Sequence, residues 1–224
     1  MAVSIRNPLV IAAAAVVVAA GALIYYISQP GASGLPAIAN AAPAESSDDL
    51  MAAGPLGERS LGDPNAPVTV IEYASMTCSH CAHFHETTFA PFKEKYVDTG
   101  KVHFIFREFP LDPLATSAFM LARCLPEDRY FAAVDVLFRQ QANWAFAANP
   151  ADALLAIARQ IGFTEESFKA CLTNQQILDG VNAVKERAAS EFAVNSTPTF
   201  FINGTKRPGA LTLEDLDQEI QPLL

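Results

Sequence analysis

The tetrapeptide Cys78-Ser79-His80-Cys81 comes shortly after the run Val68-Thr69-Val70-Ile71-Glu72-Tyr73, and helix periodicity begins at once behind it. A β-branched run of this kind reads as a buried strand. A strand feeding straight into a helix points to an α/β layer. Both thiols then fall in the first helical turn, where unpaired N–H groups and the positive end of the macrodipole favour negative charge. Cys78, the more exposed, becomes the low-pKa nucleophile, and Cys81, one turn further in, the resolving thiol. His80 adds a second polarising group between them. Lowering the Cys78 pKa by about 3 units would stabilise the reduced form by about 2 kcal/mol at pH 7, making the couple about 45 mV more oxidising.

Other readings of the same residues are weaker. An inert disulfide at this spacing would be strained and reducible. Zinc could draw on Cys78, Cys81, His83 and His85, and Cys81 and His85 share one helical face. Four ligands on one short helical stretch do not readily surround a tetrahedral ion, so no metal is expected. His83 and His85 read instead as surface or groove residues. A c-type haem would need histidine where Ala82 stands. No cofactor is implied.

Pro8 to Ile27 carries no charge, about the 20 residues a membrane-spanning helix needs. Arg6 precedes it and Asp48 and Asp49 follow, which places the C-terminal body outside the cytoplasm. Residues 1–28 therefore read as a signal anchor or a signal peptide, and 29–57, rich in Ala, Gly, Pro and Ser, as a flexible linker. The net charge of −9 argues against nucleic acid as a partner. Of the four cysteines, Cys124 and Cys171 stand apart from the tetrapeptide, and four cysteines allow three pairings.

The folded domain is expected over 58–224. A helix runs from Cys78 to about Asp98 with a kink at Pro91. A second strand covers Lys101–Arg107. Residues from about 111 to 192 read as helices, with N-caps at Asp112 and Asn149, each followed by proline, and at Thr164. Tyr130, Phe131, Val134, Leu137 and Phe138 form a buried face, with Gln141 as its one polar member. The strand Thr199–Ile202, the turn Asn203-Gly204 and a capping box from Thr212 to Asp215 close the chain. The order strand–helix–strand, helical block, strand–turn–strand–helix fits one interrupted α/β domain.

These residues resemble the thioredoxin superfamily, specifically its DsbA-like branch, in which a helical domain is inserted into the thioredoxin core. The resemblance covers about residues 59–224. It rests on the strand carrying Glu72, on Cys78-Ser79-His80-Cys81, and on Thr197-Pro198 ahead of Thr199–Ile202 and Asn203-Gly204. It implies a thioredoxin-like fold with an inserted all-helical subdomain, behind an N-terminal hydrophobic helix. It further implies that Pro198 is cis, with the Thr197 backbone facing Cys78, and that Glu72 assists proton movement at Cys81. A second, non-catalytic disulfide between Cys124 and Cys171 also follows from it; the alternative is two buried free cysteines acting as small apolar fillers. Ser79 stands where the best-known oxidases commonly have proline. Thr197 stands where they often have an apolar β-branched residue.

The function this implies is donation of the Cys78–Cys81 disulfide to reduced exported proteins, with a DsbB-type quinone-linked membrane protein as reoxidant and a monomeric enzyme. An isomerase or reductase of the same fold is the nearest alternative. A metallochaperone or assembly factor is the alternative of a different class.

Overall fold

The computed structural model describes residues 47–224, with side chains from Asp49 onward. The expected N-terminal hydrophobic helix over Pro8–Ile27 lies outside the described residues. Among those described, no helix is long and apolar enough to cross a membrane.

In chain order the elements are α1 (Ser47–Met51), β1 (Arg59–Leu61), β2 (Val68–Ala74), α2 (Ser79–Thr87), α3 (Phe89–Phe92), a π-helical turn (Lys93–Val97) and β3 (Val102–Glu108). Next come α4 (Pro113–Cys124), α5 (Glu127–Arg139), α6 (Gln141–Trp144), α7 (Pro150–Gln160), α8 (Glu165–Leu172) and α9 (Gln175–Glu191). The chain returns with β4 (Thr199–Ile202), β5 (Thr205–Pro208) and α10 (Leu213–Ile220), followed by a 3₁₀ turn (Gln221–Leu223). The fold is the expected interrupted α/β arrangement.

The sheet order is β1-β3-β2-β4-β5, with β2 and β3 parallel and the remaining pairs antiparallel. The parallel pair needs a crossover, which α2, α3 and the π-helical turn supply. Both central strands are buried on two faces, so VTVIEYA and VHFIFRE read as almost continuous apolar runs rather than alternating ones. One face carries Val70, Phe104, Phe106 and Phe200 against α2, α4 and α5. The other carries Ile71, Tyr73, Ile105 and Phe201 against Val184, Ala188 and Phe192. Each fully buried phenylalanine contributes about 1.5–3 kcal/mol of transfer free energy. The β4–β5 hairpin turns on Asn203 and Gly204, both at positive φ, the backbone a two-residue turn requires.

The helix expected from Cys78 to Asp98 is broken. Pro91 has no N–H to give to the carbonyl of Thr87, and the break falls one turn before the proline, at Thr88 (φ −111°). The caps are where the sequence puts them. Asp112 accepts from Ala115 N at 2.8 Å, and Thr164 with Ser167 and Thr212 with Asp215 form reciprocal capping boxes.

Two features tie the helical block to the sheet. The carboxylate of Glu108, at the end of β3, accepts two bonds from the Arg123 guanidinium and one from Tyr130 Oη at 2.8 Å, all three groups being buried. Cys124 and Cys171 are joined across α4 and α8 with a sequence separation of 47. Closing a loop of that length stabilises by about 4 kcal/mol on the chain-entropy model.

The body also begins earlier than the boundary at 58. Residues 49–57 are docked, not free as the linker reading of 29–57 had it. Leu50 is buried. Arg107 donates to the carbonyl of Leu50 at 2.7 Å, Arg187 to those of Ala52 (2.9 Å) and Asp49, and Arg123 to those of Leu56 and Gly57, both at 3.0 Å. Leu56 seats on Gly180, where a Cβ would lie 2.4 Å from its Cγ. Side-chain periodicity is silent here because main-chain carbonyls do most of the holding.

Candidate active site

Cys78 is the N-cap of α2, in extended conformation, and is half-buried; Cys81 is fully buried in the first turn behind it. Both thiols are free. Pro198 follows a cis peptide bond, and the carbonyl of Thr197 accepts from the Cys78 thiol at 3.2 Å. Two chain segments 119 positions apart thus meet at one sulfur.

The loop from Ser75 to Cys78 is fastened from several directions. Ser75 Oγ accepts from Leu111 N, and Thr77 Oγ1 donates to Asp112, which also caps α4. Gln141 is buried and spends both amide hydrogens here, donating to the carbonyls of Met76 (2.8 Å) and Cys78 (2.9 Å). The sequence carried a trace of this residue. A glutamine ending an otherwise apolar helical face must find buried acceptors.

The two thiols are driven apart in acidity. The Cys78 pKa is lowered to about 5, first by the Cys81 thiol donating to it, opposed by burial, then by Thr197 and by the backbone N–H groups of Cys81 and His80. Thr197 Oγ1 is buried and bonds to nothing in the thiol form, which leaves it free to turn toward the thiolate. Cys81 is pushed the opposite way, chiefly by burial, then by its bond to Cys78 and by the charge of Glu72. Because the Cys78 value is depressed, the stabilisation of the reduced site is complete above the ordinary thiol range and is lost as pH falls through about 5. Thiolate absorbance of the reduced full-length chain should therefore rise with a midpoint near 5. Cys81→Ala should move that midpoint upward. A wild-type midpoint at about 8.5, the free-cysteine value, would refute this account.

Two expectations concern histidines, and one of them needs correcting. His80 was expected to polarise Cys78 through its ring. Its side chain is exposed, and its backbone N–H is among the groups that lower the Cys78 pKa. His85 was expected at the surface or in a groove beside His83. His83 is exposed, but His85 is 3% accessible, with Nε2 2.9 Å from Oε2 of the fully buried Glu72. Four residues after the buried Cys81, it lies on the same inward helix face.

A thioredoxin family model matches residues 56–222 of the chain. The crystal structure of α-DsbA1 from Wolbachia pipientis is similar at 34% identity and a TM-score of 0.73, over 80% of this chain and 96% of that one. BdbD from Bacillus subtilis, at 19% identity, shares the fold with a TM-score of 0.65, over 74% of this chain and 92% of that one. A Rickettsia typhi protein carrying the provisional name protein-disulfide oxidoreductase is 34% identical over 147 residues. That match covers 65% of this chain and 54% of the relative, so the chain spans about half the relative's length.

Proposed function

The chain belongs to the thioredoxin superfamily, in its DsbA-like branch, and on that premise we propose that it donates the Cys78–Cys81 disulfide to reduced, exported proteins. The observation carrying this reading is the place of Cys78, half-buried at the N-cap of α2, where the Cys81 thiol and the backbone N–H groups of the first turn favour a thiolate. A sulfur more stable as thiolate is a better leaving group, and the disulfide it forms is a stronger oxidant.

A client thiolate attacks Cys78, Cys81 departs, and a mixed disulfide forms. The client's second thiolate then expels Cys78 as a thiolate. The backbone of Thr197, 3.2 Å from Cys78, is placed to pair with an extended client segment during the exchange. Glu72, buried and charge-coupled to Cys81, assists proton movement at the departing sulfur. Reoxidation falls to a DsbB-type quinone-linked membrane protein. The enzyme works as a monomer in the bacterial periplasm, with Pro8–Ile27 as tether or export signal.

Equilibration of the full-length chain with glutathione buffers tests the direction of electron flow. The couple is expected nearer the strongly oxidising value of about −120 mV than the reducing one of about −270 mV. A potential at the reducing end would make the protein a reductase or isomerase of the same fold.

A further inference from the structure

Gln141 opens α6 and is buried, on the continuation of the apolar face of α5. A polar side chain in such a place must find its partners in the interior. Its amide nitrogen donates to the carbonyls of Met76 at 2.8 Å and Cys78 at 2.9 Å, in the loop that leads into α2. It reaches Cys78 from 63 positions away, out of the helical insertion. The short helix that carries it is itself pinned. Trp144, fully buried at the other end of α6, donates its indole N–H to the carbonyl of Leu137 at 2.8 Å.

The two carbonyls differ in what else they hold. That of Cys78 also accepts the N–H of Ala82 at 3.1 Å, the first hydrogen bond of the helix. That of Met76 has no other donor among the described residues, and Met76 is itself fully buried. One amide group thus grips the main chain on both sides of Thr77. The two peptide planes it fixes decide which way Cys78 faces. Cys78 sits at the N-cap with φ −80° and ψ 119°, and from that position the N–H groups of His80 and Cys81 act on its sulfur. On the far side the sulfur reaches the carbonyl of Thr197 at 3.2 Å. A turn of the Met76–Cys78 stretch would part both sets of contacts. Thr77 Oγ1 to Asp112 and Ser75 Oγ to Leu111 N tie neighbouring residues, whereas Gln141 alone among these ties acts on Cys78 itself. The charged groups nearby have partners of their own. Asp112 takes Thr77 and the N–H of Ala115, Glu72 takes His85, and His80 is exposed.

We infer that Gln141 is the positioning residue of the redox centre: it holds Cys78 at the head of α2, so that the helical insertion governs exchange at its sulfur. This rests on the thiol-exchange reading above. No bond is made or broken at Gln141, which neither ionises nor meets the client sulfur. Its amide stays on the two carbonyls while the disulfide opens and closes. The loop then needs no rearrangement between the two forms, and Cys78, when a client releases it, is already where its charge is stabilised.

Gln141→Met keeps the length and bulk of the side chain and removes both donors. The acid dissociation constant of Cys78, read from thiolate absorbance of the reduced full-length chain, should fall about tenfold. Equilibration with glutathione should find the couple about tenfold less oxidising, which is about 30 mV. Gln141→Glu can donate only while protonated, so its rate of dithiol-peptide oxidation relative to wild type should fall further as pH rises. Gln140→Met removes a surface amide bonded to Gln160 one position away, and should match wild type in dissociation constant and potential. A Gln141→Met chain that melts at lower temperature but keeps both wild-type values would overturn the inference, as would a Gln140→Met chain that shifts them as far. If wild type itself exchanges no disulfide with the peptide, the thiol-exchange reading falls, and this inference with it. Should the Gln141 variants not fold, ¹⁵N spectra of the unaltered chain decide. The Gln141 side-chain amide protons should stay protected from solvent exchange in oxidised and reduced protein alike, and should follow Cys78 ionisation in the reduced form alone. Rapid exchange in either form overturns the proposal.

Discussion

Serine in place of Cys78 is expected to suppress oxidation of a dithiol peptide by about 1000-fold or more, because a hydroxyl neither forms the disulfide nor ionises near neutral pH. Cys81→Ser should behave differently. Cys78 would still attack client disulfides, but nothing buried behind it would resolve the product, and mixed disulfides should accumulate as bands that vanish on reduction. The asymmetry follows from burial, since Cys78 meets solvent and Cys81 does not. Equal trapping by both variants, or residual oxidation by Cys78→Ser, would mean the nucleophile has been misassigned.

The largest stability effect is expected far from the sulfurs. Arg123→Ala would leave the Glu108 carboxylate buried with only Tyr130 as donor and would release the carbonyls of Leu56 and Gly57. Removing one partner of a buried ion pair costs about 3–5 kcal/mol. For a body of this size that lowers the melting temperature by about 6–20 °C. Replacing Arg123, Glu108 and Tyr130 together with methionine, leucine and phenylalanine should recover most of the loss, because no charge then stays unpaired. Thermal unfolding by circular dichroism reads both. A fall of less than about 2 °C for Arg123→Ala would show that the network is not fully desolvated in solution.

The parts legible in the sequence are those whose chemistry is contiguous. The Cys-x-x-Cys motif behind a β-branched strand, the Asp112-Pro113 and Asn149-Pro150 starts, and the Asn203-Gly204 turn each declare themselves within a few residues. Pro91 announced a distortion, but its position was misread, since the missing N–H is felt at Thr87, one turn back. His85 was readable in principle. Its spacing from Cys81 puts both on one face, so a buried Cys81 carries His85 inward with it. Glu108 and Arg123 were not readable, because charged residues on separate elements look the same whether they meet in the core or face water. The docking of 49–57 was invisible for another reason. Carbonyl oxygens are common to every sequence, and only the fold brings three arginines to them.

That arginine grip also sets where mechanical load enters the molecule. Tension arriving from the chain before Ser47 would reach β3, α4 and α9 in parallel, through Arg107, Arg123 and Arg187. It would be shared as shear across several bonds instead of peeling the edge strand β1 one bond at a time. The cysteine pair lies off this path, so a pull on the leading segment would strain the buried Arg123–Glu108 contact before it disturbed the sulfurs.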